Sequence, residues 1–184
     1  MYILLAIVAA ILLLVIGVVA AASRQPRAFH IERSITTSAP ADRVFAIFSD
    51  LGRWRDWSPY DRHDPEMKTE VSDPGHGEGA TYAWNGNKKV GEGRLTIARV
   101  EPDRAVALDL EFTRPFKCRN HVTWRVDDEG ARRRITWAMD GRNDGLMPRI
   151  FSLVMDMDTM CGTDFDAGLA ALKAIAEKGA AGEN

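Results

Sequence analysis

The run from Tyr2 to Ala22 constrains this chain most: it holds no charge, no proline and one glycine, Gly17. At ~1.5 Å rise per residue a helix over this run spans about 31 Å, close to the ~30 Å hydrocarbon core of a bilayer. An apolar run of this length reads as a transmembrane helix. A cleaved signal peptide is the alternative, and Ala20-Ala21-Ala22 carries the small side chains of a cleavage site. Against it, no Lys or Arg precedes the run, and a signal core is typically only ~7–15 residues long. The expected organisation is therefore a single-pass helix over 2–22, a linker over 23–28, one domain over 29–178 and a loose tail over 179–184. Arg24, Arg27 and Arg33 follow the apolar run, so the positive-inside rule puts the domain on the cytoplasmic side.

The charge all lies beyond this segment, with 24 Lys and Arg against 26 Asp and Glu, formal net −2. Near-neutrality argues against nucleic acid as a partner, because a nucleic-acid binder shows a basic patch or stripe. Two cysteines, Cys118 and Cys161, form neither a metal motif nor a disulfide framework. They read as small buried hydrophobes, with a single bridge possible if the domain is exported.

Alternation marks the strands. Phe29, Ile31, Arg33 and Ile35 share one parity in Phe29–Thr37, a strand pattern. Pro40 then stands where a first helical residue is favoured, and Val44, Phe45, Ile47, Phe48 and Leu51 follow at helical spacing. A second short helix or turn over Gly52–Pro59 puts Trp54 and Trp57 on one side. Six further strands are expected at Met67–Ser72, Gly79–Trp84, Lys89–Val100, Ala105–Phe112, Lys117–Val126 and Arg132–Asp140, separated by turn residues such as Asn85-Gly86-Asn87. Val106, Leu108, Leu110 and Phe112 share one face, as do Val122, Trp124 and Val126, and Ile135, Trp137 and Met139. Polar residues alternate with them, which is the pattern of an antiparallel sheet with one face buried. Short links imply a meander.

The last element reads as a helix from Met147 to Lys178. Met147, Ile150, Phe151, Val154, Met155, Cys161, Phe165, Leu169, Leu172 and Ile175 form one stripe in steps of three and four. A kink is expected near Gly162, and Gly179 reads as the stop. A one-sided sheet must be covered, and this helix alone is long enough to do it. The expected fold is α+β: a curved seven-stranded antiparallel sheet gripping a long C-terminal helix, with two short helices between strands 1 and 2.

This order and several local motifs resemble the SRPBCC superfamily (START-like, Bet v 1-like), in particular its polyketide cyclase/dehydrase-type members with an N-terminal hydrophobic segment. The resemblance rests on Ile31-Glu32-Arg33-Ser34-Ile35 leading to Ala39-Pro40 and Val44-Phe45, and on Ser49-Asp50, Trp54, Trp57-Ser58-Pro59 and Asp64-Pro65. It continues through Gly79–Asn87, Val90-Gly91-Glu92-Gly93, Pro115-Phe116, Thr136-Trp137-Ala138-Met139 and Asp164–Leu169. It implies the helix-grip fold over Phe29 to Lys178. It does not choose among lipid carriers, receptors, cyclases and chaperone activators, because a fold does not fix a function.

The residues themselves show no catalytic constellation. None of the four histidines, His30, His63, His76 and His121, has another at metal-pair spacing, so no metal is expected. Asp156-Met157-Asp158 fails as a calcium loop, since the sixth position is Cys161 rather than glycine. Gly91-Glu92-Gly93 reads as a strand bulge. No nucleophile motif appears, and no cofactor is expected. Asp158 falls on the apolar helical stripe, where an unpaired carboxylate is costly. Either it lines a pocket, or it pairs with an arginine or turns to solvent.

Between a curved sheet and a helix a mainly apolar cavity can remain. Its candidate lining is Trp84, Leu110, Phe112, Trp124, Trp137, Met139, Met147, Phe151, Met155 and Asp158. The expected function is a membrane-anchored module binding a hydrophobic small molecule or lipid. One alternative is a cyclase- or dehydratase-like enzyme with Asp158, Tyr82 or His121 as acid–base groups. Another is a chaperone- or stress-related interaction domain with a filled core. The oligomeric state is not indicated.

Overall fold

The computed structural model describes residues 1–154 and 156–181, with side chains throughout except at Phe151, Val154 and residues 179–181. The elements are α1 (Tyr2–Arg24), β1 (Ala28–Thr37), α2 (Ala41–Phe48), a 3₁₀ turn (Leu51–Asp56), α3 (Tyr60–His63), β2 (Lys68–Val71), β3 (Thr81–Asn85), β4 (Glu92–Glu101), β5 (Ala105–Arg114), β6 (Cys118–Glu129), β7 (Arg132–Arg142), α4 (Leu146–Val154) and α5 (Met157–Ala181). The strands form one antiparallel sheet in the order β1-β7-β6-β5-β4-β3-β2. The meander runs in sequence from β2 to β7, and β1 closes it by pairing with β7, with Ile31 opposite Met139 and Ile35 opposite Ile135.

The parity expected from sequence sets the faces. Val106, Leu108, Leu110, Val122, Trp124, Val126, Ile135, Trp137 and Met139 are all buried. Their neighbours Asp109, His121 and Arg125 are exposed. The apolar face is covered by α5 through Phe165, Leu169, Leu172 and Ala176, and by α2 through Val44, Ile47 and Phe48. The chain is thus a helix-grip α+β domain with a long apolar N-terminal helix.

Three expectations are corrected. Lys89–Gly91 is turn rather than strand: β4 starts at Glu92, and the ladder to β5 slips between Glu92 and Gly93. The terminal helix is not interrupted at Gly162. It divides into α4 and α5, because Asp156 starts a new helix: its Oδ1 accepts from the Asp158 amide at 3.1 Å and its Oδ2 from Thr159 Oγ1 at 2.6 Å. Such a side-chain acceptor satisfies amides that a helix start leaves without partners. α5 runs unbroken through Gly162, whose missing Cβ leaves room for the Arg33 guanidinium. α5 also passes the expected stop at Gly179, through Ala180 and Ala181, residues of the highest helix propensity. Residues 182–184 of the expected tail lie outside the described residues.

α1 is long and apolar enough to cross a membrane. It is exposed from Tyr2 to Gly17, while Ala22 near its end is fully buried where α1 packs on α4.

Candidate ligand-binding site

The concave face is rich in rings, and their packing decides where space remains. Trp137 stacks on Phe165 of α5 with ring centres 3.9 Å apart and planes 8° from parallel. On its other side Trp124 lies at 4.4 Å. Trp124 is itself covered by Phe48 at 5.6 Å and Trp57 at 5.1 Å. The short helices therefore fill one half of the grip.

The other half keeps an apolar cavity of about 80 Å³. Its floor is Tyr82 and Trp84 from β3, Leu95 from β4, Leu110 and Phe112 from β5, Val122 from β6, and Trp137 and Met139 from β7. Phe165 comes from α5, and Trp54, Ser58, Tyr60, Met67 and Val90 come from the short helical segments and two turns. Those turns are tied down. The buried Asp64 accepts from the Asn87 amide at 2.6 Å, Asn87 Nδ2 donates to the His63 carbonyl at 3.0 Å, and Trp84 Nε1 donates to the Val90 carbonyl at 3.0 Å. His63 and Asp164 meet at 2.8 Å and join α3 to α5. Trp84 and Phe112, ring centres 5.3 Å apart, are only half-buried and form the rim.

The polar groups here are few. Burial pushes the Tyr82 hydroxyl up to about 12 and raises that of Tyr60 further. Both are thus neutral donors at pH 7, not bases. The buried indole N–H groups of Trp57, Trp124 and Trp137 have no acceptor among the described residues. Trp137 is the one of these that lines the cavity. A buried polar group without a partner costs about 1–3 kcal/mol.

Five of the sequence-chosen lining residues meet at the cavity: Trp84, Leu110, Phe112, Trp137 and Met139. Trp124 does not, because Phe48 and Trp57 cap it. Met147 is 58 % exposed, since α4 leaves the sheet and packs on α1 instead of crossing the concave face. Met155 and the Phe151 side chain lie outside the described residues. Asp158 stands on the surface, where Arg33 Nη2 donates to Oδ2 at 2.9 Å. That hydrogen bond holds its carboxyl below the usual carboxylate range, the opposite of a general acid. The break before α5 has rotated it off the apolar stripe and onto β1.

Of the other acid–base candidates, Tyr82 lines the cavity. His121 is exposed on the outer face beside Asp109 at 3.2 Å. Val122 and Phe165 were legible as inward positions. Ser58 and Tyr60 carry no periodic signal that could have marked them, Trp54 is legible only as sharing a side with Trp57, and Met67 only as the first residue of an expected strand. Among the described residues no group of three His, Cys, Asp or Glu is placed to hold a metal.

A curved sheet closed on a long helix around an apolar cavity defines the class: a helix-grip protein. A family model described as polyketide cyclase/dehydrase and lipid transport matches residues 28–177, and the chain belongs to that family. No curated protein sequence matches it. Among solved structures it is similar to the Zhui aromatase/cyclase from Streptomyces sp. R1128, at 20 % identity and a TM-score of 0.57 over 82 % of this chain and 94 % of that one. It is also similar to a hypothetical protein from Helicobacter pylori, at 12 % identity and 0.63 over 80 % and 88 %. Ara h 8.0201 matches at 9 % identity and 0.55 over 82 % and 99 %. Identities this low speak for the shared fold.

Proposed function

We propose that the chain is a membrane-anchored binding domain for a hydrophobic small molecule or lipid. In this reading residues 2–22 span the bilayer, 23–28 connect, and the domain over 29–178 works at the cytoplasmic surface. The observation that carries it is the cavity of about 80 Å³, whose lining is almost wholly apolar and aromatic. The family's description, which includes lipid transport, agrees with it.

The volume limits what enters without rearrangement. Pockets for drug-sized ligands are roughly 300–1,000 Å³, so the closed cavity holds only the end of such a molecule. Entry of more requires the half-buried Trp84 and Phe112 to part and Met67 and Met139 to change rotamer. Methionine's unbranched, rotatable chain suits that role. The unpartnered indole N–H of Trp137 and the hydroxyls of Ser58 and Tyr60 are the groups available to orient a ligand's polar end. Purifying the full chain in mild detergent, extracting bound lipid and identifying it by mass spectrometry tests this. Recovery of one apolar class at a fixed ratio is expected. An empty domain without saturable affinity for apolar probes refutes it.

A cyclase- or dehydratase-like reading has one observation in its favour: Tyr82, an acid–base candidate, is among the residues lining the cavity, with its hydroxyl hydrogen-bonded to Thr69. If Tyr82→Phe leaves an established activity unchanged, that role is excluded. A filled-core interaction domain has the cavity against it.

A further inference from the structure

Outside α1, the exposed large apolar side chains among the described residues are Phe116, Leu146, Met147 and Met160. Phe116 is far in sequence from Leu146 and Met147, yet these three gather at one end of the molecule. Strand register shows why. Ala28 pairs with Arg142, Gly141 with Asn120, Cys118 with Phe112, and Arg114 with Glu92. The start of β1, the end of β7 and the β5–β6 turn therefore emerge together. Phe116 tips that turn, Leu146 and Met147 open α4 just past β7, and Met160 sits in the first turn of α5. α1 leaves from the same end and packs on α4.

The β3–β4 and β5–β6 turns at this end carry the exposed lysines Lys88, Lys89 and Lys117 and no acidic residue, with the exposed acid Glu66 in the neighbouring loop before β2. Arg24 and Arg27 join them beside β1, and the acid Asp144 is paired with Arg142 at 3.3 Å. At the opposite end the β2–β3 and β4–β5 turns carry Asp73, Glu78, Asp103 and Arg104, and the β6–β7 hairpin carries Asp128 and Glu129 with Arg132, Arg133 and Arg134, a mixed surface without lysine. Lysines clustered among exposed apolar side chains match the chemistry of an anionic lipid surface.

Depth agrees. The stretch of α1 from Val18 to Ala22, at ~1.5 Å per residue, covers the last ~7 Å of an apolar span. Interfacial helices bury their apolar face ~5–10 Å into the headgroup–acyl boundary. α4, LMPRIFSLV with Arg149 as its one charge, packs on that part of α1.

We propose that this end of the domain is a seat on an anionic bilayer: α4 lies in the interface alongside α1, Phe116 dips beside it, and Lys88, Lys89 and Lys117 meet acidic headgroups. The seat rests on the reading of α1 as a membrane anchor. It turns the cavity rim toward lipid, because Trp84 and Phe112 lie in the strand rows nearest this end.

The full chain is reconstituted into vesicles of phosphatidylcholine with and without phosphatidylglycerol. Single cysteines carrying a polarity-sensitive fluorophore are placed at Phe116, Met147 and Ala131 in a Cys118→Ala/Cys161→Ala background, and quenching by brominated lipid is read. Ala131, in the β6–β7 turn, marks the far end. Quenching several-fold stronger at 116 and 147 than at 131 is expected, and reversing the three lysines to glutamate should reduce it in anionic vesicles alone. A chain that floats with the vesicles but quenches equally at all three positions overturns the seat and leaves the anchor standing. A chain that does not float overturns both. Unchanged quenching on lysine reversal overturns the electrostatic part. If the cysteine-free chain does not fold, hydrogen exchange of the wild-type chain decides: slower exchange at 115–117 and 146–153 in anionic than in zwitterionic bilayers supports the seat, and equal exchange overturns it.

Discussion

Replacing Val122 with isoleucine asks whether the space under the sheet is real and whether it is where ligand goes. Val122 is 4 % exposed and lines the cavity. A dry void of about 80 Å³, at ~24 cal/mol per Å³, carries a penalty of about 2 kcal/mol that added atoms can recover. Isoleucine supplies one methylene, so the expected gain is ~0.8 kcal/mol. For a chain of this size that is a rise in Tm of about 2–3 °C. Were the region already packed, the same methylene would destabilise by ~1–3 kcal/mol, so the sign discriminates. Denaturant unfolding of the full chain in micelles, followed by tryptophan fluorescence, gives the stability, and titration with an apolar fluorescent probe gives the affinity. The substitution should raise stability and lower probe affinity together. Destabilisation beyond ~1 kcal/mol refutes the cavity. A stabilised variant with unaltered probe binding refutes the cavity as the binding place.

Three further outcomes follow from particular contacts. Phe165→Ala removes a ring 1 % exposed and stacked on Trp137, and should cost about 3–5 kcal/mol in chemical denaturation while enlarging the space available to probe. Gly162→Ala should gain less than the ~1 kcal/mol of helix propensity that alanine brings elsewhere, because its Cβ displaces the Arg33 guanidinium; NMR titration should then show the Asp158 carboxyl moving back up toward its ordinary range. The His30 imidazole is raised above its ordinary 6.5, chiefly by its hydrogen bond to Asp140. Its stabilising contribution is thus complete below that value and lost as pH rises through the higher folded value. Asp140→Asn should flatten this part of the stability profile, and an unaltered slope would sink the assignment.

Strand positions and faces could be read from the chain because a strand's period of two is local: Leu110, Phe112, Trp137 and Met139 declare their face through their own neighbours. The apolar span of α1 is local in the same sense. The cavity was legible only in half. Its floor comes from sheet parity, whereas Trp54, Ser58, Tyr60 and Met67 enter from non-periodic segments held by Asp64, Asn87 and His63.

Sequence therefore established which side chains must turn away from water, since burial of an alternating or stripe-like face follows from covalent geometry and hydrophobicity. Assembly settled which buried face touches which. Trp124 and Trp137 are equivalent by parity, and Phe48 stacked on Trp124, with Trp57 against both, makes the first core and leaves the second at the cavity. Asp158 sits on an apolar stripe by spacing, and a helix start at Asp156 with Arg33 waiting on β1 turns it into a surface ion pair. Met147 continues the same stripe, yet α4 carries it away to α1. In each case the deciding contact joins residues distant along the chain, which no periodicity within one segment encodes.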